Sequence, residues 1–361
     1  MLGQQLGRGE EVCAGDVRRV RSRRSFLRWT GVAAAGALAL PRMSFGKDAP
    51  AQASTSLPHA KSDFKRPLGP QEFRAALVGP IMSLPTTWNE DLTVNLDAVR
   101  NMVNRGLKYN VPIYELTAGN SKYEQSTFDE IKSVSETMIE AVNGAGITIP
   151  ATGPWPTEQV VEYAKFCEAR DADGLQILLP KDVTDEDQLY KHFLTISEST
   201  RLPIVLHGVY SVPLLKRLAE IDSIAAMKED GELTYYIDRA INFGDRFEIF
   251  SGGAENRYLV GYPYGSRSFF STYTGFAPDK PMEFWAAIRQ DDLKQAVAIT
   301  KKYDYPFISR FTHPFWHGTL EYFGLAKRYM REPFKTLTDA EYAEIKPFFD
   351  GQEIDPAEYQ V

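Results

Sequence analysis

The chain has 361 residues, 43% hydrophobic and 25% charged, a globular make-up long enough for one large α/β barrel or two ordinary domains. Its formal charge of −7 is uneven: residues 1–53 hold nine Lys/Arg and four Asp/Glu, so the remainder carries −12. An acidic body without a basic stripe argues against a nucleic-acid partner.

The basic N-terminus reads as a leader. In SRRSFLRWTGVAAAGALAL, Arg23 and Arg24 precede Phe26 and Leu27, and an apolar stretch runs from Trp29 to Leu40. This is the twin-arginine export pattern. The apolar stretch is too short to span a bilayer comfortably, and the small residues of APAQAS offer cleavage near Ala53. Residues 1–53 are therefore expected to be a signal peptide, and the mature protein to be periplasmic or extracytoplasmic with no membrane segment; an uncleaved amphipathic anchor is the alternative. Cys13 falls in the leader, which leaves Cys167 alone and rules out an intramolecular disulfide or a Cys-based metal site. Cys167 lies in the apolar rhythm of VVEYAKFCEA, as a buried structural thiol does. Residues 54–72, polar and proline-bearing, read as a linker.

From there short apolar runs alternate with longer amphipathic segments. Eight candidate strands start near Arg74, Pro112, Ile147, Gly174, Leu202, Ile224, Phe247 and Ser266. Between them, DLTVNLDAVRNMVNRGL places Val99, Met102, Val103 and Leu107 on one helical side. TFDEIKSVSETMIEAV opens with Thr127 and Glu130 in capping-box spacing. TDEDQLYKHFLTISEST opens with an acidic turn, and SVPLLKRLAEI carries Pro213 early in the helix. Eight strand–helix repeats imply a parallel sheet closed into a (β/α)8 barrel over residues 73–280, of the α/β class. No GxGxxG or P-loop fingerprint follows the first strand. Three further helical patterns make residues 281–361 a C-terminal helical extension.

Residues at the C-terminal ends of barrel strands surround the active site. Here they include Ser83, Thr117, Thr152, His207, Lys228, Ser251 and Ser271. Lys228 ends the apolar run IAAMKED, where desolvation disfavours an ammonium and an amine becomes a usable nucleophile toward a carbonyl carbon. The structural alternative is an ion pair with Glu229, Asp230 or Glu115. FTHPFWHGTLEYFG sets His313, His317 and Glu321 four apart, but Pro314 and Gly318 are expected to break the helix that metal binding would need.

AALVGPIMS, LTAGNS, AAMKED, FEIFSGGAEN and GSRSFFST, in this order and spacing, resemble the dihydrodipicolinate synthase / N-acetylneuraminate lyase family of Schiff-base aldolases, over roughly Phe73 to Phe349. The resemblance puts the family's iminium-forming lysine at Lys228. Its carboxylate-holding loop falls on Thr117, Ala118 and Gly119, with Asn120 in place of the loop's glutamate. The family's proton-shuttling tyrosine is replaced by His207, itself a competent acid/base, while Tyr210 follows three residues on. Its substrate-meeting arginine is replaced by Val212, which argues against dihydrodipicolinate synthesis. Ser251 and Arg267 are further candidates to face substrate, with pairing to one of the surface acids the alternative for Arg267. The resemblance implies no metal or organic cofactor and a homo-oligomer, commonly a tetramer. The expected function is a Schiff-base-forming lyase, aldolase or dehydratase, acting on a 2-oxo acid such as pyruvate or a deoxy sugar acid. The alternatives are an altered barrel that binds a sugar acid without lyase activity, and metal-assisted hydrolysis through His207, His313 and His317.

Overall fold

A computed structural model describes residues 66–360; the expected signal peptide, Cys13 and the first part of the expected linker lie outside them. Eight strands alternate with helices: β1 (Gly79–Ser83), β2 (Ile113–Glu115), β3 (Ile147–Ile149), β4 (Leu175–Leu178), β5 (Ile204–His207), β6 (Ile224–Glu229), β7 (Glu248–Ser251) and β8 (Ser268–Phe270). All pairings are parallel, in the order β3-β2-β1-β8-β7-β6-β5-β4. The ring closes between β3 and β4, where Gln176 N–H donates to Pro150 O (2.9 Å) and Thr152 N–H to Gln176 O (2.8 Å). The result is the eight-stranded parallel barrel expected from the alternation.

Helix α1 (Pro70–Ala76) precedes the barrel. The crossovers are α2 (Leu96–Lys108), α3 (Phe128–Val142), α4 (Thr157–Glu168), α5 (Glu186–Ser199), α6 (Val212–Leu218), α7 (Leu233–Phe243) and α8 (Glu255–Gly261). Their starts follow local chemistry. Thr127 Oγ1 accepts from Glu130 N–H while the Glu130 carboxylate accepts from Thr127 N–H, completing the capping box. Ser211 caps α6, with Pro213 in its first turn.

The start of the folded chain differs from expectation. Pro70, Gln71 and Glu72 are helical rather than linker, and Arg74 sits in α1 rather than opening β1. The Glu72 carboxylate accepts from Gly69 N–H (2.9 Å) and Pro70 starts the helix, a short cap-and-proline signal that the apolar run RAALV obscures. Phe73 and Leu77, one turn apart, then plug the N-terminal end of the barrel among Ile81, Ile113, Ile147 and Val205. Gly174 admits the plug: a Cβ there would sit 2.5 Å from the Phe73 ring.

The C-terminal extension comprises α9 (Asp279–Arg289), α10 (Leu293–Lys302), α11 (Asp304–Arg310), α12 (His313–Tyr322), α13 (Asp339–Ala343) and α14 (Ile345–Asp350). The pattern PMEFWAAIRQDDLKQAVAITKKY splits in two because Asp291 takes a left-handed conformation (φ 57°) and Asp292 caps the next helix. Helix α12 is continuous through Pro314 and Gly318, against expectation. Pro314 stands in its first turn, where no N–H is required, and the bare Gly318 lets Ile345 and Leu337 approach. Among the described residues no helix is long and apolar enough to cross a membrane.

Two cores result. A large one fills the space between sheet and helices, and a smaller one lies inside the barrel. Alternation along the even strands turns Glu115, Gln176, Lys228 and Phe270 inward, as one interior layer of a closed barrel is built. That layer is the floor of the site.

Candidate active site

Strand period sets the first feature. With Lys228 inward, Glu229 points out to Arg257 (2.7 Å), and Asp230, one residue past β6, returns to the barrel mouth. Lys228 Nζ pairs with Asp230 Oδ2 and lies 5.3 Å from the centroid of the Phe270 ring. The register sets His207 beside Lys228, and His207 Nε2 stands 3.2 Å from Lys228 Nζ and 2.8 Å from Asp230 Oδ2. Amine, imidazole and carboxylate thus form a closed triangle. The lysine is buried, as expected, but it is one partner of an ion pair rather than a solitary amine.

The electrostatics follow from burial and contact. Burial and then the Lys228 charge push His207 below its ordinary range, against the pull of Asp230. Burial raises Asp230, but the charge of Lys228 and the contact with His207 outweigh it and hold the carboxyl well below the usual carboxylate range. Burial pushes Glu115 far up; Lys228 opposes that shift and Asp230 adds to it. Neither Glu115 oxygen has a hydrogen-bond partner, so the neutral acid is the form the barrel tolerates.

Above the triangle lies a cavity of about 310 Å³. Thr117, Gly119 and Asn120 line one side, from the loop after β2. That loop is tied down: Ser121 Oγ donates to Leu84 O (2.6 Å), Thr86 Oγ1 to Ser121 O (2.6 Å), and Asn120 Nδ2 to Ser83 Oγ (3.0 Å). Thr117 N–H is spent on Ser121 Oγ (3.1 Å), so Thr117 faces the cavity with its side chain alone. Ala118, expected to hold substrate, packs its methyl on the outer core, its carbonyl accepts from Tyr123 N–H (3.0 Å), and it does not line the cavity. Ser271 and Thr272 follow β8, and Ile308 on α11 with Phe311 just beyond it form the roof.

Two expected substrate contacts are corrected. Arg267 stands at the N-terminal end of β8, where Nε meets Glu248 Oε2 (2.7 Å) and Nη2 donates to Arg74 O (2.7 Å), the opposite end of the barrel from the cavity. Ser251 alternates outward after the inward Phe250, and its Oγ donates to Gly252 O (2.9 Å). Tyr210 does not reach the cavity either; its hydroxyl donates to His207 O (3.3 Å) and its ring packs near Phe193. Thr152 Oγ1 accepts from Leu178 N–H (3.1 Å) in the closing seam.

The histidine constellation on α12 is a packed interior. His317 is fully buried against Trp88 (5.6 Å, 14° between planes), and burial lowers it to about 3. His313 meets Lys122 Nζ, and Glu321 turns to Arg328 (2.8 Å). Among the described residues no group of three His, Cys, Asp or Glu is placed to hold a metal. Cys167 is buried in the outer core, where burial raises its thiol.

Asp230 is the site residue that sequence reasoning undervalued, treating it only as an ion-pair partner. Its signal was present: two residues beyond Lys228 on a strand is the same face. Ile308 and Phe311 had no local signal, since they reach the cavity from a helix far along the chain.

The sequence profile of the Dihydrodipicolinate synthetase family matches residues 76–350. The 4-hydroxy-tetrahydrodipicolinate synthase of Clostridium perfringens is 30% identical over 183 residues, 48% of this chain and 62% of that protein. A protein of Ralstonia nicotianae named "Probable 5-dehydro-4-deoxyglucarate dehydratase" is 25% identical over 294 residues, 76% of this chain and 94% of the other. The crystal structure of dihydrodipicolinate synthase from Oceanobacillus iheyensis superposes with a TM-score of 0.71 at 18% identity, over 79% of this chain and 99% of that one, a likeness of fold. With its profile match running from the end of α1 through α14, the chain belongs to the dihydrodipicolinate synthetase family.

Proposed function

We propose that the protein is a lyase that forms a Schiff base between Lys228 and a 2-oxo acid such as pyruvate or a deoxy sugar acid. The observation that carries this reading is the position of His207 Nε2, 3.2 Å from Lys228 Nζ and 2.8 Å from Asp230. Lys228 passes its proton to His207, and the imidazolium so formed is held by Asp230. The freed amine attacks the 2-oxo carbon and one of its protons moves to the carbonyl oxygen, giving a carbinolamine; His207 gives its proton to the resulting hydroxyl, the C–O bond breaks, water leaves, and the C=N bond remains as a protonated iminium. The iminium draws electrons from the adjacent carbon and promotes carbon–carbon or carbon–oxygen cleavage. The Thr117 hydroxyl, with Gly119 and Asn120 of the same loop, faces the substrate carboxylate.

Borohydride reduction with pyruvate tests the reading. The wild-type protein is expected to gain one adduct, mapped to Lys228, and Lys228→Ala to lose it while keeping its circular dichroism. Equal trapping by the variant would overturn the assignment. The pairing of Lys228 with Asp230 favours a second reading, a barrel that binds such acids without chemistry; ligand-induced thermal stabilisation with no adduct would select it.

Export by the twin-arginine route and assembly as a homo-oligomer are part of the same proposal. Fractionation of cells with an Arg23→Lys, Arg24→Lys variant tests the first, and light scattering the second.

A further inference from the structure

Lys122 lies in the loop that carries Thr117, Gly119 and Asn120, only 1% exposed, and the chemistry proposed above leaves it unused. Its backbone takes the left-handed conformation (φ 58°), which disfavours a residue with a Cβ. Its Nζ donates to Gly119 O (3.1 Å) and meets His313 Nδ1, with the centroid of the Phe334 ring 5.1 Å away. Among the described residues no carboxylate pairs with it, and burial alone lowers it to about 7. A buried ammonium without a counter-charge is costly.

The amine stands behind the cavity wall. Gly119 lines the cavity while its carbonyl holds the ammonium. A ligand touching Gly119 is separated from Nζ by the thickness of one residue, on the order of 7 Å. Across protein rather than water, a unit charge at that range still acts on an anion. Lys228, by contrast, already answers Asp230. The groups that face Lys122 do not supply the missing charge. From α12 come His313 and His317, which burial and the Lys122 charge lower to about 4 and about 3, so both are neutral near pH 7. The segment after α12 brings only the Phe334 ring.

We propose that Lys122 is a positioning residue whose ammonium, acting through Gly119, is the counter-charge for the carboxylate of the bound acid. This rests on the reading of the site as one for 2-oxo acids. An anion favours the charged lysine, so binding takes up a proton near and above neutrality, and affinity falls as pH rises.

L-lactate and L-lactamide test this: they match in shape, neither forms a Schiff base, and only lactate carries a carboxylate. Calorimetry from about pH 6 to about pH 9, in buffers of different ionisation heat, reads affinity and proton uptake. Borohydride trapping with pyruvate reads the chemistry separately. Wild-type affinity for lactate is expected to fall at least about fivefold over that range, with net proton uptake, while lactamide affinity stays level. Lys122→Met fills the buried space without charge. It is expected to weaken lactate at least about fivefold at the acid end, to level its pH profile, and to leave lactamide within about twofold. Equal weakening of both ligands would assign Lys122 to holding the loop alone and overturn the inference, as would unchanged lactate affinity or no lactate binding. Should the variant misfold, the wild-type pair decides: proton uptake with lactate and none with lactamide upholds the inference, and equal uptake overturns it. A pyruvate adduct together with lactate affinity indifferent to Lys122 leaves the lyase reading standing without the inference. The expected lactate behaviour without any adduct upholds the inference and removes the lyase reading.

Discussion

At the scale of single residues, the site depends on how closely backbone approaches the triangle. Gly252, just past β7, is the clearest case: a Cβ there would fall 1.6 Å from Asp230 Oδ1 and 3.0 Å from Lys228 Nζ. Gly252→Ala must therefore swing Asp230 aside and break its contacts with Lys228 and His207. The expected outcome is a loss of more than about tenfold in the rate of borohydride trapping, with a melting temperature close to that of the wild-type protein. Unchanged trapping would mean that the triangle is not the reacting constellation. Period two was enough to orient Lys228, and it also oriented Asp230 and Ser251. What strand alternation could not show is which way the next loop turns, so the tied-down Thr117 needed the folded loop to be placed, and His207, the last residue of β5, needed the strand register that sets it beside Lys228.

At the scale of elements, α11 is joined to the barrel through two buried acids. Asp304 Oδ2 accepts from Glu255 N–H at the start of α8 (3.0 Å), and the Glu255 carboxyl meets Thr300 Oγ1 (3.3 Å). Burial, and then the neighbouring Asp304, push Glu255 up, and burial pushes Asp304 up as well. The sign follows directly. A carboxyl whose folded-state pKa is raised stays neutral while the unfolded chain ionises, so stability falls as pH rises from the unfolded value of 3.8 toward neutrality. Asp304→Asn keeps an oxygen for Glu255 N–H and removes one titration. Its melting temperature is expected to lose less than the wild type between about pH 4 and pH 7, as scanning calorimetry across that range would read. Parallel curves would place the titration elsewhere. Because α11 also carries Ile308, this joint holds the roof of the cavity in place.

At the scale of the whole molecule, the barrel is a closed cylinder with a dry plug below and chemistry above. Phe73 is wholly buried in the plug, so Phe73→Ala is expected to cost about 3–5 kcal/mol of unfolding free energy in urea titrations while Lys228 trapping persists in the folded fraction. Loss of trapping in step with the folded site would show that floor and mouth are not independent. The sequence by itself determined the eight strands, the capping box at Thr127, the helical C-terminal region and Lys228 as the residue to watch. Each of these is written in local period or in side-chain chemistry, which the chain carries without reference to its partners. Only the tertiary structure decided that Arg267 belongs to the barrel's base, that His313 and His317 pack with Lys122 and Trp88, and that Lys228 is paired with Asp230 beneath a roof from α11. Those outcomes depend on where the cylinder closes and which end a residue occupies, because contacts across a barrel are set by strand shear and long-range packing, and neither leaves a mark in neighbouring residues.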